Sequence, residues 1–217
     1  MAGLELVRRW PGLKSKPWVE NLVARASEEK SIAAIIIIGS AIRPRGHRRS
    51  DLDLLVLYRG TKPKLRAPVG VDVRHYPVES ADKLIAEGNE LLGWAVRFGY
   101  ALYDPAHEWG KLHNKWTNIL PLPSADEARQ RADRSLDVAR DLLEAGDEAA
   151  ASDLALAAIT QIARARLIKK GVYPASRPEL PLQLRDITES TLADLLEDAL
   201  YKDFSTADLL DRLNKVK

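Results

Sequence analysis

Residues 32–58 read IAAIIIIGSAIRPRGHRRSDLDLLVLY. The unbroken apolar run IAAIIIIG (32–39), with isoleucine at five of its eight positions, predicts a central β-strand buried on both faces. The polar stretch AIRPRGHRRS (41–50), with Pro44 and Gly46, predicts a loop, and DLDLLVLY (51–58) a second strand. Working outward, GVDVRHY (70–76) is a third strand, reached through the basic connection RGTKPKLRAP (59–68), and YALYD (100–104) is a short fourth strand before Pro105. Residues 17–30 space Trp18, Leu22, Val23 and Ala26 on one helical face, and residues 80–98 read as one helix.

The polar positions on these strands carry the chemistry. Side chains alternate along a strand, so Asp51 and Asp53 share one face while Leu52, Leu54 and Val56 share the other. On the third strand Val71 and Val73 face the core, which sends Asp72, Arg74 and Tyr76 the opposite way and leaves His75 packed. If the second and third strands are neighbours, three carboxylates converge on one face. Like charges so placed raise one another's pKa unless a cation sits among them. A hard divalent ion such as Mg²⁺ suits that set, since it takes one or two carboxylates together with substrate phosphates and water. The Gly39-Ser40 turn offers backbone N–H groups and a hydroxyl for phosphate oxygens, and Arg43, Arg45, Arg48 and Arg49 follow it directly. Each piece alone has an ordinary explanation as a turn, a solvated strand start or a solvated loop; their joint order is what singles them out.

The stretch IIIIGSAIRPRGHRRSDLDLLV, with VDVRHY and FGYALYD after it, resembles the nucleotidyltransferase superfamily of the DNA polymerase β type, over residues from about 18 to 104. The resemblance implies an α+β fold, a mixed β-sheet with flanking helices followed by an all-α bundle. It implies Mg²⁺-dependent transfer of a nucleoside monophosphate from an NTP, ATP in the first instance, to an acceptor hydroxyl, with release of pyrophosphate. Gly39 and Ser40 would hold the triphosphate with help from Arg45, Arg48 and Arg49. Asp51, Asp53 and Asp72 would bind two metal ions, Mg²⁺ or Mn²⁺, and Asp72 would act as or orient the base. The proline- and arginine-rich spacer departs from the short helix that many relatives place after the serine. The alternative within the same superfamily is an antitoxin-like module that binds or modifies a partner protein.

Beyond Pro123 the pattern turns helical. Ser124 and Glu127 form a capping box for a helix ending at Gly146; Asp147 caps an alanine-rich helix that stops at Gly171. VYPASRPELPLQL (172–184), with three prolines, is expected to be a non-helical connector, and two amphipathic helices follow at 188–201 and 205–216. The expected division is a catalytic domain at 1–104 and a helical domain at 105–217, closing over the open face of the sheet, with Trp109 and Trp116 packed between the two. The second part loosely resembles the bundles of aminoglycoside nucleotidyltransferases and of the HEPN family. It has no histidine after His113, so HEPN ribonuclease chemistry is not expected, and its expected role is acceptor binding or dimerisation.

Composition narrows the class. A chain of 217 residues, 46% hydrophobic and 29% charged, is neither a disordered polymer nor a fibre. No apolar run approaches the ~18 residues of a membrane span. The N-terminal MAGLELVRRWPG lacks a signal-peptide core, so the expected location is cytoplasmic. The absence of cysteine excludes disulfides and thiolate metal sites. Charge is uneven: residues 1–120 hold 19 Lys and Arg against 13 Asp and Glu, and residues 121–217 hold 14 against 18. The first part is therefore suited to an anion and the second to a cationic acceptor. No basic, aromatic-rich surface beyond the 43–49 loop argues for a nucleic-acid partner.

Overall fold

A computed structural model describes residues 4–43, 51–202 and 204–216. Its contacts divide the chain into two units, Met1–Pro121 and Leu122–Lys217.

The first unit is built on a four-stranded mixed sheet. Strands β1 (Ile32–Ile38), β2 (Leu52–Tyr58), β3 (Val71–Pro77) and β4 (Tyr100–Tyr103) lie in the order β3-β2-β1-β4. β1 runs antiparallel to both β2 and β4, whereas β2 and β3 are parallel. The two inner strands explain their own sequences. Every residue of β1 is buried, as are Leu52 and Leu54 through Leu57 of β2, because helices cover both faces. On one face Ile35, Ile37, Leu54 and Val56 pack with Val19, Leu22 and Val23 of α1 (Ser15–Arg25). The other face, with Ile36 and Leu55, lies toward α2 (Val78–Ala86) and α3 (Glu90–Phe98).

One predicted helix, 80–98, is two. Gly88 takes φ +79° and Asn89 caps α3 by accepting a hydrogen bond from Leu92 N at 3.0 Å. A left-handed residue ends the first helix, and an N-cap side chain starts the second. The contact boundary at 121 also lies beyond the expected 104, since α4 (Glu108–Trp116) belongs to the first unit. Asp104, just past β4, accepts from Gly110 N at 2.8 Å and Trp109 N at 3.3 Å, capping α4 from the sheet. Arg59 pairs with Glu108, and Asp82 of α2 accepts from both Lys115 Nζ and Trp116 Nε1 at 2.8 Å. Trp116 is thus held by a partner in its own unit.

The second unit is helical. α5 (Ala125–Glu144) and α6 (Glu148–Lys169) form a hairpin across the short turn at Gly146, which takes φ +82°. Ser124 accepts from Glu127 N and Asp147 from Ala150 N, the caps expected from the sequence. α6 is the centre: Ala155, Ala158, Ile159, Ile162, Ala163 and Leu167 join one core with residues from α5, α7 (Leu180–Asp186), α8 (Ser190–Tyr201) and α9 (Thr206–Asn214). The proline-rich connector departs from expectation by containing a 3₁₀ turn (Arg177–Glu179) and then α7. Pro178 and Pro181 stand in the first two positions of these elements, where no backbone N–H is needed. None of the described helices is long and apolar enough to cross a membrane.

The location of this core gives a stability expectation. Ile159→Ala should cost about 2–5 kcal/mol, while trimming the exposed Val138 to alanine should change little. Urea unfolding followed by circular dichroism measures both, and equal effects at the two sites would contradict the central role of α6.

Candidate active site

Strand pairing brings the acidic residues together. β2 and β3 run parallel with Asp53 directly opposite Asp72, so their side chains leave the sheet on the same face. Asp51 lies two residues before Asp53, exposed at the start of β2. On the other side of β2, Asp53 pairs with Ile38, the last residue of β1, which places the turn after β1 beside it.

That turn is shaped around the carboxylate. Gly39 takes φ +84°, and a Cβ there would lie 2.1 Å from Asp53 Oδ2. Glycine is therefore required both for the backbone conformation and for the room. Ser40 follows, half-buried, in the 3₁₀ turn Ser40–Ile42.

Burial and like charge both act on the cluster. The Asp53 carboxyl is pushed up from 3.8 to about 6, first by burial and then by the charges of Asp72 and Asp51, with Arg74 opposing. Arg74 engages the cluster, its guanidinium 2.6 Å from Asp72 Oδ2. This ion pair was missed in the sequence, although the i, i+2 spacing of opposite charges on one strand face was a usable signal.

Five sequence-predicted residues, Gly39, Ser40, Asp51, Asp53 and Asp72, gather at one end of the sheet. Arg45, Arg48 and Arg49 lie outside the described residues. Arg43 stacks over the Phe98 ring, 4.5 Å from its centroid. His75, opposite Val56 on the other face, is half-buried with its ring edge toward Tyr58, as its alternation predicted.

The donor set consists of hard carboxylate oxygens, a chemistry that fits a divalent cation such as Mg²⁺. Among the described residues no three His, Asp or Glu side chains enclose a metal by themselves.

Two outcomes test this geometry. A carboxyl whose folded pKa is raised contributes stability below its unfolded value of 3.8, and that contribution is lost as pH rises through about 6. In EDTA at pH 7.5, Asp53→Asn should therefore be more stable than the parent, by up to about 3 kcal/mol. The gain should vanish below pH 4, roughly the unfolded carboxylate value, and urea midpoints at the two pH values decide. Gly39→Ala should instead lose stability at both, by about 1–3 kcal/mol, through strain and the clash with Asp53.

Residues 19–118 match the family model described as a nucleotidyltransferase domain, a span running from α1 through α4. No curated protein matches the chain. Among solved structures, the chain is similar to a nucleotidyltransferase-like protein from Exiguobacterium sibiricum. The two share 17% identity with a TM-score of 0.43, over 93% of this chain and 73% of the other. Gly39, Asp53 and Asp72 all lie inside the stretch that is similar to the nucleotidyltransferase domain model.

Proposed function

We propose that the protein transfers a nucleoside monophosphate from an NTP, ATP in the first instance, to an acceptor hydroxyl and releases pyrophosphate. The observation that carries this reading is the in-register pair Asp53 and Asp72 with Gly39 closed against Asp53. In this reading Asp51, Asp53 and Asp72 hold two Mg²⁺ or Mn²⁺ ions, which supply charge neutralisation for the triphosphate and the attacking oxygen. The Gly39-Ser40 turn receives phosphate oxygens through its backbone N–H groups and the Ser40 hydroxyl, with Arg45, Arg48 and Arg49 assigned to the same triphosphate.

Asp72 takes the acceptor's proton or orients it. The acceptor oxygen then bonds to the α-phosphorus as the bond from that phosphorus to the bridging oxygen breaks. Pyrophosphate carries away the electron pair. Arg74 holds the Asp72 carboxylate before substrate arrives, which limits its repulsion of Asp53. The helical unit is assigned the acceptor, and its excess of acidic residues suits a cationic one.

The direct test incubates the protein with each labelled NTP, Mg²⁺ and a metabolite pool, and identifies by mass spectrometry what gains a nucleotide. Asp53→Asn should abolish the transfer, and an unchanged product in that variant would overturn the assignment. Asp72 is separable from the pair Asp51 and Asp53 because it stands on another strand. Asp72→Asn should keep the Kd for a non-hydrolysable NTP within a few-fold, yet lower kcat by at least ~10²-fold, the scale of lost acid–base catalysis. If Kd and kcat fall together, Asp72 is a general metal ligand; if neither moves, it is a solvated strand residue.

A further inference from the structure

Parallel pairing of β2 and β3 requires a crossover, and residues 59–70 supply one without a helix. Within it Pro63 is buried, and Leu65 packs on the same core as α1. The crossover therefore passes over the α1 face of the sheet. Between it, α1 and the turn leading into β1 lies a cleft of about 500 Å³, within the range of small-molecule sites. The cleft is distinct from the carboxylate cluster. It touches Ile32 at the start of β1, six residues and so roughly 20 Å along the strand from Ile38. It also lies with Leu22 on the α1 face, opposite to the face that carries Asp53 and Asp72.

Its lining combines three kinds of group. Trp18, half-buried and packed on the α1 core, presents an aromatic wall. Arg25 of α1 and Lys64 and Arg66 of the crossover bring three exposed cations to the rim from two separate segments. None of these three forms an ion pair among the described residues, whereas Arg59, at the start of the same crossover, is held by Glu108. Asn21, Glu28 and Glu29 complete the polar lining, and Glu29 accepts a hydrogen bond from Ser31 at 2.7 Å.

We propose that this cleft is a second binding site, for a free nucleoside monophosphate, and that it works without a metal ion. The base stacks on Trp18, as bases stack on aromatic side chains in single-strand readers. The phosphate is held by Arg25, Lys64 and Arg66, whose mutual repulsion it relieves. Glu28 and Asn21 supply acceptors and a donor for the ribose hydroxyls and the base edge. Three cations against two carboxylates leave a small positive excess. That balance suits a monophosphate and disfavours a triphosphate, whose several charges would meet the rim carboxylates uncompensated. A nucleotide bound there contacts α1 and the crossover that sets β3 beside β2, and so reaches the strand carrying Asp72 through the chain itself.

The test is calorimetry on the full chain in EDTA with AMP, GMP, CMP, UMP, ATP and inorganic phosphate as separate probes. At least one nucleoside monophosphate should bind with one-to-one stoichiometry, more tightly than ATP or phosphate alone. The double substitution Arg25→Ser, Arg66→Ser should weaken it at least tenfold, as loss of charge-assisted contacts requires. Trp18→Leu should weaken it by about tenfold, in the range of lost base stacking. Asp53→Asn, at the other site, should leave it unchanged. The proposal is overturned if no monophosphate binds, if phosphate alone binds as well, if the double arginine variant binds like the parent, or if Asp53→Asn removes the binding.

Discussion

Backbone pairing places two negative charges side by side in this protein. The hydrogen-bond register of β2 and β3 sets Asp53 opposite Asp72, and like charges directly opposite one another are destabilising. Burial adds to the cost, since Asp53 is pushed up to about 6 chiefly by desolvation. What sustains the arrangement is the strand ladder next to it. Ile35, Ile36, Ile37 and Ile38 are at most 1% exposed, and each buried side chain of that size contributes roughly 1.5–3 kcal/mol. The apolar strands outweigh the repulsion between these carboxylates.

The same pairing accounts for features that look unrelated. Because β2 and β3 are parallel, a crossover must link them, and its residues 63–66 form the outer wall of the cleft against α1. Because β1 must turn away just as it meets Asp53, residue 39 has to lack a side chain. Because β4 closes the other edge against β1, Asp104 stands where it can cap α4, and α4 is held in turn by Asp82 and Arg59. A charge cluster, a cleft and a domain boundary thus share one sheet topology as their cause.

In the helical unit the controlling fact is the composition of α6. Alanines at 151, 155, 158 and 163 are fully buried, and their small size lets neighbouring helices approach closely. Isoleucine and leucine fill what remains, so one helix serves as the core for four others. Surrounding charges are largely spent on local pairs, such as Arg185 with Asp194 and Glu197, and Arg212 with Asp198. Exposed pairs of this kind contribute little to stability, which leaves the apolar centre as the main determinant of this fold.

Much of this was legible in the sequence wherever the physics is local. The run IAAIIIIG fits a strand buried on both faces, alternation put Asp51 and Asp53 on one face, and Ser124, Asp147, Gly146 and Gly171 marked helix ends through their own side chains or lack of one. Local reading failed where a local signal was passed over or where a distant partner decided the outcome. The helix expected at 80–98 broke at Gly88 and Asn89, and the prolines at 178 and 181 proved compatible with helix because they fall in first turns. α4 joined the first unit because Asp104, Asp82 and Arg59 hold it there. That Asp53 and Asp72 are in register, that Arg74 closes on Asp72, and that Gly39 gives way to the Asp53 carboxylate were all decided by tertiary structure. The sequence alone determined which residues could take part and which face of each strand they occupied, because alternation is a property of one chain segment. Only the assembled sheet decided which of them meet, because register and neighbour order belong to hydrogen bonds between segments far apart in the chain.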